Sequence, residues 1–444
     1  MTNRYLEGNF APIREEVTAF DLPVTGRVPE ELNGRFLRNG PNPVVDEDPA
    51  KYHWFTGTGM VHGLRLRDGK AEWYRNRYVR SDRVTEALGL PPVEGPRHGM
   101  SDGTANTNVI GHAGRTWAIV EAGALPVELT YDLDTVCRSD FDGTLDGSFT
   151  AHPKRDPATG ELHAVTYYWE WDHIRYVVVG TDGRVRKTVR VPVPGSPMVH
   201  DCAITETKLV LFDLPATFNL EAAMSGASLP YRWDPDYGAR VGLMPLGGEA
   251  EQVRWFDVEA CYVYHPVNAY DLPDGRVVVD VIRHPKTFAT EFIGPFEGMP
   301  TLDRWTIDPV AGKVLEERID DRGQEFPRID ERLVGRANRY AYAASFGEDL
   351  AHGPAMKHDL VSGQSEMHDY GVGRVTLEPV FVPRDGATAE DDGWILSYVY
   401  DATTDRSDVV ILDAQGFGDA PVATVQLPQR VPFGFHGNWV PDGS

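Results

Sequence analysis

The sequence has few cysteines, no long apolar run and little helical periodicity. Its three cysteines, Cys137, Cys202 and Cys261, are an odd number without paired spacing, which argues against a disulfide framework and is typical of a reducing compartment. The amino terminus, MTNRYLEGNFAPIREE, lacks the apolar core of a signal peptide. No window of about twenty apolar residues predicts a membrane-spanning helix. We therefore expect a cytoplasmic protein.

Basic patches are also missing. The formal net charge is -24, and no Lys/Arg stripe offsets the acidic residues. Such a surface repels nucleic acid, so the charge predicts no nucleic-acid partner and favours solubility. Neither a GxSxG nucleophile motif nor a Walker-type phosphate loop is present. The acidity does not identify a substrate.

Alternating apolar residues bounded by turn-forming residues recur along the chain. The 44 glycines and 33 prolines suit a protein rich in turns. Five segments each contain two such runs around a turn such as Asp68-Gly69 or Asp274-Gly275, which predicts β-hairpins. The predicted hairpins lie at 60–79, 176–193, 269–284, 302–319 and 394–414.

Hairpins repeated over hundreds of residues indicate an all-β propeller, a barrel or stacked sandwiches. We favour a β-propeller in which seven four-stranded blades would take about 60 residues each. No repeat motif fixes the number of blades. Without a Ser/Gly/Pro-rich linker, residues 1–444 are interpreted as one domain. The main non-β candidate is 214–228, LPATFNLEAAMSGAS, which predicts a short surface helix or lid.

The end of the chain has an unusual composition. Residues 431–439, VPFGFHGNW, place His436 between aromatic residues and glycines. Chain ends are usually polar and loosely ordered. An end of this kind predicts a buried strand, and a buried imidazole needs a partner.

Four of the fourteen histidines share one context. His152, His200, His265 and His436 each follow apolar residues and precede a turn-former, a short polar residue or Gly. This pattern is typical of the inner end of a buried strand. Their separations of 48, 65 and 171 residues would place them in different blades, whose inner strands converge on one axis. His62 lies in an alternating strand and could face either side. The other nine are interpreted as solvated or structural: His53, His98, His112, His163, His173, His284, His352, His358 and His368.

Four imidazoles without a thiolate would suit iron, copper, zinc or nickel. Ligating histidines need acceptors for their second ring nitrogen, and carboxylates often fill this role. Three glutamates lie in apolar or structured settings: Glu121 in AIVEAG, Glu325 in GQEFPRID and Glu378 in VTLEPVFVP. Each of them could instead be an ordinary surface or turn carboxylate. Taken singly, each histidine is also more often a structural core residue than a ligand.

The chain resembles the carotenoid cleavage oxygenases, non-haem iron enzymes that include carotenoid, apocarotenoid, stilbene and phenylpropene cleaving dioxygenases and the retinoid isomerase of the eye. The resemblance extends from about Gly26 to Trp439. Ten segments carry it in order: GRFLRNGPNP (34–43), HWFTGTGMVHG (53–63), NTNVI (106–110), TAHPKRDPATGEL (150–162), MVHDCAIT (198–205), LDRWTID (302–308), EFPRID (325–330), EPVFVPR (378–384), EDDGWILSYVYD (390–401) and VPFGFHG (431–437).

The resemblance implies a seven-bladed propeller with a helical and loop cap over the iron-bearing face and one Fe(II) per chain. The four histidines named above fall on the iron ligands. Glu121, Glu325 and Glu378 fall on the carboxylates that hold three of them, His200, His265 and His436, whereas His152 has none. Thr107 falls on a residue that crowds an open iron position. The family also places the ends of its chain in one blade.

By the same resemblance, dioxygen is the co-substrate, and an alkene is cleaved to two carbonyl products. Val120 stands where hydroxystilbene-cleaving members have a Lys that binds the phenol, which favours a carotenoid or apocarotenoid substrate. Phenylpropene cleavage stays open, as does retinoid-like binding or isomerisation without cleavage. Phe55, Phe288 and Phe433 are candidates to contact the substrate. The segment 214–228 falls near entrance helices that dip into a membrane, which implies peripheral membrane contact.

Overall fold

The computed structural model describes residues 2–99, 101–347 and 352–443. Within these residues the chain forms 33 short strands, two α-helices and five 3₁₀ turns. The strands of the first half are β1 (Thr18–Phe20), β2 (Val24–Gly26), β3 (Gly34–Pro41), β4 (Gly59–Arg67), β5 (Lys70–Tyr78), β6 (Asn108–His112), β7 (Arg115–Ile119), β8 (Val127–Leu129), β9 (Thr135–Arg138), β10 (Lys154–Arg155), β11 (Leu162–Thr166), β12 (His173–Val179), β13 (Val185–Pro192), β14 (Ala203–Ile204), β15 (Lys208–Asp213), β16 (Ala216–Phe218) and β17 (Tyr231–Trp233).

The second half continues with β18 (Arg240–Pro245), β19 (Arg254–Asp257), β20 (Tyr262–Asp271), β21 (Val277–His284), β22 (Thr301–Asp308), β23 (Lys313–Asp320), β24 (Gln324–Arg328), β25 (Tyr340–Phe346), β26 (His352–Asp359), β27 (Gln364–His368), β28 (Arg374–Thr376), β29 (Val380–Pro383), β30 (Gly393–Asp401), β31 (Arg406–Asp413), β32 (Ala423–Gln426) and β33 (Gly437–Pro441). The helices are α1 (Asp82–Leu88) and α2 (Leu220–Met224), and the 3₁₀ turns span Arg4–Leu6, Gly8–Phe10, Trp54–Thr56, Ala250–Gln252 and Glu331–Leu333.

Seven antiparallel sheets form the blades of a β-propeller, as the sequence predicted. Blade 1 has the order β33-β3-β4-β5-β1, and blades 2 and 3 consist of β6 to β9 and β10 to β13. Blade 4 is β14-β15-β18-β19, with the β16–β17 hairpin inserted after β15. Blades 5 and 6 are β20 to β23 and β24 to β27. In blade 7, β28 and β29 both pair with β30, and β31, β32 and β2 follow. Contacts between neighbouring sheets through β33–β6, β14–β20, β20–β24 and β29–β33 place these strands nearest the axis.

All five predicted hairpins are present, as β4–β5, β12–β13, β20–β21, β22–β23 and β30–β31. The β4–β5 hairpin shows why turn residues predict a hairpin from the sequence. Only Asp68 and Gly69 separate β4 from β5, and their φ angles are 47° and 73°. A two-residue turn with both φ values positive matches the right-handed twist of the strands that it joins, and Asp and Gly tolerate it.

Both ends of the chain close the ring. β33 pairs with β3 in blade 1, with Arg38 opposite Gly437, and β2 pairs with β32 in blade 7. The glycines of the closing stretch permit this contact. A Cβ on Gly437 would lie 2.3 Å from the carbonyl oxygen of Leu37, and one on Gly434 would lie 2.8 Å from the Cα of Gly40. Only glycine allows backbones to approach this closely.

Apolar side chains fill the spaces between adjacent blades. The largest cluster includes Tyr176, Leu211, Tyr262 and Trp305, each at most 1% exposed, and so joins blades 3, 4 and 5. Loops and the two short helices lie outside the sheets. The inner strands, held on both sides by this packing, give rigid positions to the residues at their ends.

Candidate metal centre

The four predicted histidines meet at one point. His152 precedes β10, His200 precedes β14, His265 lies within β20 and His436 precedes β33, so that blades 3, 4, 5 and 1 each supply one imidazole. Each is 5–8% exposed. One ring nitrogen from each lies within 4.8 Å of the others, in an arrangement that could hold a metal ion.

The ring nitrogens face each other closely. Nε2 of His200 lies 2.9 Å from Nε2 of His152 and 3.2 Å from Nε2 of His265. When Nδ1 carries the proton, each Nε2 presents a lone pair, and lone pairs at this separation repel unless a cation lies between them. The donor set therefore fits a metal ion of the imidazole-preferring group.

Glu378, which lies between β28 and β29, holds His436. Its Oε1 accepts a hydrogen bond from Nδ1 of His436 at 2.9 Å, and its Oε2 accepts one from the backbone N–H of Gly437 at 2.7 Å. Arg328 lies 3.4 Å from Oε1. Burial by itself would raise the pKa of Glu378, but the charge of Arg328 and the hydrogen bonds from His436 and Gly437 lower it to about 2. The carboxylate is thus ionised and fixes the tautomer of His436.

Glu325, in β24, holds His265. Its Oε2 accepts hydrogen bonds from Nδ1 of His265 at 2.6 Å and from the backbone N–H of Phe326 at 2.5 Å. Phe326 has a φ of 57°, which bends the chain back toward the carboxylate of its neighbour. Oε1 contacts Nε2 of His284 at 2.7 Å. Burial raises the pKa of Glu325, but the two histidines outweigh burial and lower the pKa below its usual value.

His284 also lies in the site, although its sequence context predicts only a solvated or structural residue. It is fully buried against Glu325. The residues around it, Arg283 and Pro285, give no local signal. Only the pairing of β20 with β21, with Tyr262 opposite His284, brings it beside the strand that carries His265.

Glu121 lies beside His200. Its Oε2 is 2.7 Å from Nδ1 of His200, although the two groups are not aligned for a hydrogen bond. The hydroxyl of Tyr167 donates to the other oxygen, Oε1, at 3.0 Å. The three glutamates therefore contact the three histidines that the resemblance assigns to them.

His152 has no glutamate partner among the described residues. The nearest carboxylate oxygen, Oδ2 of Asp201, lies 3.8 Å from its Nδ1. That oxygen forms an ion pair with Lys154 at 2.8 Å, and Oδ1 accepts the backbone N–H of Cys202. His152 is thus the ligand candidate that is held least directly, as the resemblance implies.

Burial keeps two of the imidazoles neutral. It lowers the pKa of His436 to about 4, an effect that Glu378 offsets only in part. Burial and the neighbouring imidazoles lower the pKa of His152 well below its ordinary value. Metals bind the neutral imidazole, so both residues are ready to coordinate at neutral pH.

An apolar cavity of about 190 Å³ opens onto His200, His265 and His436. Val120 and Phe55, both predicted to contact substrate, line it, and so does Thr107. Residues from outside the blades complete its wall: Trp54, Thr56, Leu229, Pro295 and Phe296. A cavity of this kind accepts an apolar molecule beside three of the imidazoles.

The other two predicted substrate contacts, Phe288 and Phe433, lie elsewhere. The ring of Phe288 packs 6.3 Å from Phe55 and 5.5 Å from His53, outside the residues that line the cavity. Phe433 stacks on His352 at 3.9 Å. Phe288 is 1% exposed and Phe433 is half-buried against two apolar clusters, so neither ring lines the apolar cavity.

Thr107 precedes β6 of blade 2. Its backbone oxygen accepts the N–H of His436 at 3.0 Å. Its hydroxyl donates to the side chain of Asn106 at 2.9 Å. Thr107 therefore joins the strand end of His436 to blade 2 and lies on the cavity wall beside three of the imidazoles.

A second, polar cavity of about 490 Å³ reaches the histidine cluster from another direction. His152, His265 and His436 line it together with Lys154 and Asp201. The apolar cavity contains Glu121 and Glu325 but neither Lys154 nor Asp201. The histidine cluster thus lies between an apolar space and a polar space.

The segment 214–228 contains β16 and the short helix α2. Leu220 and Met224 of this helix are 63% and 81% exposed. Among the described residues, no helix is long and apolar enough to cross a membrane. The segment therefore presents two apolar side chains on the surface, and the predicted membrane contact stays a prediction.

Comparisons with known proteins identify the family that the chain matches. The family model described as RPE65, retinal pigment epithelial membrane protein, matches residues 10–441. A carotenoid cleavage oxygenase of Mycobacterium tuberculosis is 49% identical over 491 aligned positions that cover 99% of this chain and 98% of the relative. An isoeugenol monooxygenase of Pseudomonas nitroreducens is 34% identical and covers 98% of both chains. The crystal structure of a Pseudomonas brassicacearum lignostilbene dioxygenase matches 99% of both chains with 28% identity and a TM-score of 0.90.

Proposed function

The chain belongs to the RPE65/carotenoid cleavage oxygenase family, and on that premise we propose that it is an Fe(II)-dependent dioxygenase that cleaves a carbon–carbon double bond of a carotenoid or apocarotenoid. The reaction uses one dioxygen per alkene. The double bond and the O–O bond break, and each alkene carbon gains one oxygen to become a carbonyl. No further oxidant or reductant is required.

One observation carries this proposal: four buried imidazoles form one cluster, and the three of them that lie beside a glutamate line an apolar cavity. Fe(II) held by the four imidazoles would supply the reactivity toward dioxygen. Four neutral ligands would leave the ion its full charge. The carboxylates of the three glutamates, which lie beside the histidines, would offset that charge. The residues of the chain then orient the reactants and exclude water.

The cavity positions the alkene. Val120 and Phe55 line it with apolar side chains, and Thr107 lines it next to His436, whose backbone N–H donates to the backbone oxygen of Thr107. Holding the double bond beside the metal turns a bimolecular reaction into one within a single complex, and this is where the protein contributes most. Thr107 limits the space next to the metal and so restricts which atoms reach it.

A phenylpropene is the second candidate substrate, because the described apolar cavity is small. About 190 Å³ suits a molecule such as isoeugenol, whereas a long carotenoid would have to extend past the described walls. A relative named isoeugenol monooxygenase covers nearly the whole chain. Hydroxystilbenes are less favoured because Val120 cannot stabilise a phenolate.

Product analysis tests the function. Protein reconstituted anaerobically with Fe(II) is exposed to air with a carotenoid, an apocarotenal, isoeugenol and a hydroxystilbene, and carbonyl products are identified by mass spectrometry. We expect paired carbonyl products from a carotenoid, an apocarotenal or isoeugenol. No carbonyl from any alkene, with equal ligand binding by wild type and His436→Ala, would instead indicate a retinoid-like binding protein. Isomerised ligand without cleavage would indicate an isomerase.

The exposed Leu220 and Met224 of α2 support peripheral contact with membranes, from which a lipophilic alkene would be collected. Sedimentation with neutral phospholipid vesicles tests this. The wild-type protein should bind more than Leu220→Ser/Met224→Ser. Equal binding by both proteins would contradict the role of this segment.

A further inference from the structure

His284 lies one step further from the proposed metal position than Glu325. It ends β21, is fully buried, and its Nε2 lies 2.7 Å from Oε1 of Glu325. The other oxygen of the same carboxylate, Oε2, accepts a hydrogen bond from Nδ1 of His265 at 2.6 Å. One glutamate therefore joins two imidazoles, of which only His265 belongs to the four-histidine cluster.

The surroundings of His284 determine its tautomer. The carboxylate of Glu325 is an acceptor, so Nε2 must carry the proton and donate it. Nδ1 has no hydrogen-bond partner among the described residues. The rings of Tyr264 and Phe296 enclose it, with centroids 5.0 and 5.9 Å away. His284 therefore acts on Glu325 through Nε2, as a hydrogen-bond donor to Oε1.

The other two glutamates receive different supporting donors. Oε1 of Glu121 accepts a hydrogen bond from the phenol hydroxyl of Tyr167. Glu378 accepts a hydrogen bond from the backbone N–H of Gly437 and lies beside the guanidinium of Arg328. Each carboxylate thus has a donor that is not itself a candidate ligand. At Glu325 this donor is His284, which takes Oε1, while the candidate ligand His265 takes Oε2.

We propose that His284 is a positioning residue of the metal centre: by holding Oε1 of Glu325, it fixes the carboxylate plane and, through it, the orientation of the His265 ring. The inference rests on the proposed metal centre and does not depend on which alkene is cleaved. With His284 present, Glu325 has donors on both oxygens. Without it, the carboxylate can turn about its last bond and leave a buried oxygen unpaired.

Two substitutions separate donation from simple packing. His284→Leu keeps apolar bulk but removes the donor. His284→Gln keeps an N–H near the position of Nε2, since a glutamine amide nitrogen can occupy the place of that ring atom. Loss of an outer hydrogen-bond partner of a metal ligand costs about 10–100-fold in metal affinity. We expect His284→Leu to lie at the low end, about tenfold, and His284→Gln to recover most of it.

The matched control is His163→Leu. His163 is also a buried histidine of a blade, 4% exposed. One ring nitrogen hydrogen-bonds to the hydroxyl of Tyr176 at 2.7 Å, and the other has no partner among the residues that the structure describes. Its partner is not part of the metal centre. Removing it tests what the loss of a buried imidazole does to folding alone.

The experiment is a Co(II) titration of metal-free protein, read by affinity and by the visible ligand-field spectrum. We expect weaker binding and a shifted spectrum in His284→Leu. Both should be restored in His284→Gln and should be unchanged in His163→Leu. Wild-type affinity and spectrum in His284→Leu would overturn the proposal. So would failure of a folded His284→Gln to differ from His284→Leu.

A measurement on the wild-type protein covers the case in which His284→Leu does not fold. In protein labelled with nitrogen-15 at histidine, the Nε2–H proton of His284 should give an exchange-protected signal that moves when diamagnetic Zn(II) is added. A signal that does not respond to the metal would overturn the proposal. Absence of carbonyl products from any alkene would remove the proposed function but would leave both metal-binding results standing.

Discussion

Glu378 holds two consecutive residues at once: Nδ1 of His436 at 2.9 Å and the backbone N–H of Gly437 at 2.7 Å. The second bond ties the first residue of β33 to blade 7, while β33 itself pairs with β3 of blade 1. One carboxylate therefore orients a candidate ligand and joins the blades where the ring closes.

Truncation and point substitution at this end should have different effects. Deleting Phe435 to Ser444 removes β33 and the buried Phe435 ring, and loss of one core phenylalanine alone costs about 3–5 kcal/mol. We expect this variant to lose metal and to melt well below wild type. His436→Ala should lose mainly metal.

Metal content and thermal unfolding of both variants check this, with deletion of Gly443 and Ser444 as the control. Metal retained by the long truncation would contradict the ligand role of His436. Equal melting of the long truncation and His436→Ala would contradict the closing role of β33.

Glu378→Gln should weaken metal binding about 10–100-fold. The amide offers one acceptor where the carboxylate offers two, and it removes the charge that faces Arg328 in a buried setting. Metal affinity by competition with a chelator measures the change. Glu366→Gln, at an exposed position of β27, controls for loss of a glutamate. An affinity like that of wild type would mean that Glu378 does not support the ligand.

Metal uptake should release protons at low pH. Burial lowers the pKa of His265, but the charge and hydrogen bond of Glu325 outweigh burial and raise it above 6.5. Below that raised pKa, metal-free protein holds a proton that Nε2 of His265 can donate to Nε2 of His200, 3.2 Å away. A metal must displace this proton, so affinity should rise with pH.

Calorimetry of Co(II) binding in two buffers of different ionisation heat measures the protons released. More should be released at about pH 6 than at about pH 9. In metal-free protein, the raised pKa of His265 also stabilises the fold. This contribution is fully present below the pKa of an unfolded histidine, and it is lost as the pH rises through the higher pKa of His265 in the folded protein. Equal proton release at both pH values would contradict this assignment.

Val120→Lys should give the protein activity on a 4-hydroxystilbene. Val120 lines the apolar cavity beside Glu121, and an ammonium there can stabilise a phenolate. The ratio of hydroxystilbene to apocarotenoid cleavage is the measurement, and we expect it to rise at least about tenfold, the equivalent of one charge-assisted hydrogen bond. Val136→Lys, on the exposed face of β9, controls for added charge. An unchanged ratio would mean that phenol recognition lies elsewhere.

The sequence predicted the propeller, which is confirmed, and the seven residues that it predicted around a metal lie together in the structure, while their roles stay predictions. Hairpin turns such as Asp68-Gly69 are local signals, so the β class could be predicted. Convergence of the four histidines is not local, and their shared context only suggested it. The resemblance in ten ordered segments made the assignment specific, including the pairing of Glu378 with His436.

What the sequence did not reveal depends on long-range packing. His284 touches Glu325 because β20, β21 and β24 are neighbours, and no spacing in the chain encodes that contact. Phe55 and Phe288 look alike as sequence, yet only Phe55 lines the cavity. The direction in which a loop turns its aromatic rings is decided by the blades beneath it.

The most direct test of the proposed function is the rate of alkene cleavage as a function of iron content. Metal-free protein is loaded with increasing Fe(II) under argon, and carbonyl product is measured at each loading with a saturating carotenoid, apocarotenoid or isoeugenol. The rate should rise linearly from zero and level off at one iron per chain. Cleavage by metal-free protein, or no cleavage at full loading, would contradict the proposed Fe(II)-dependent cleavage.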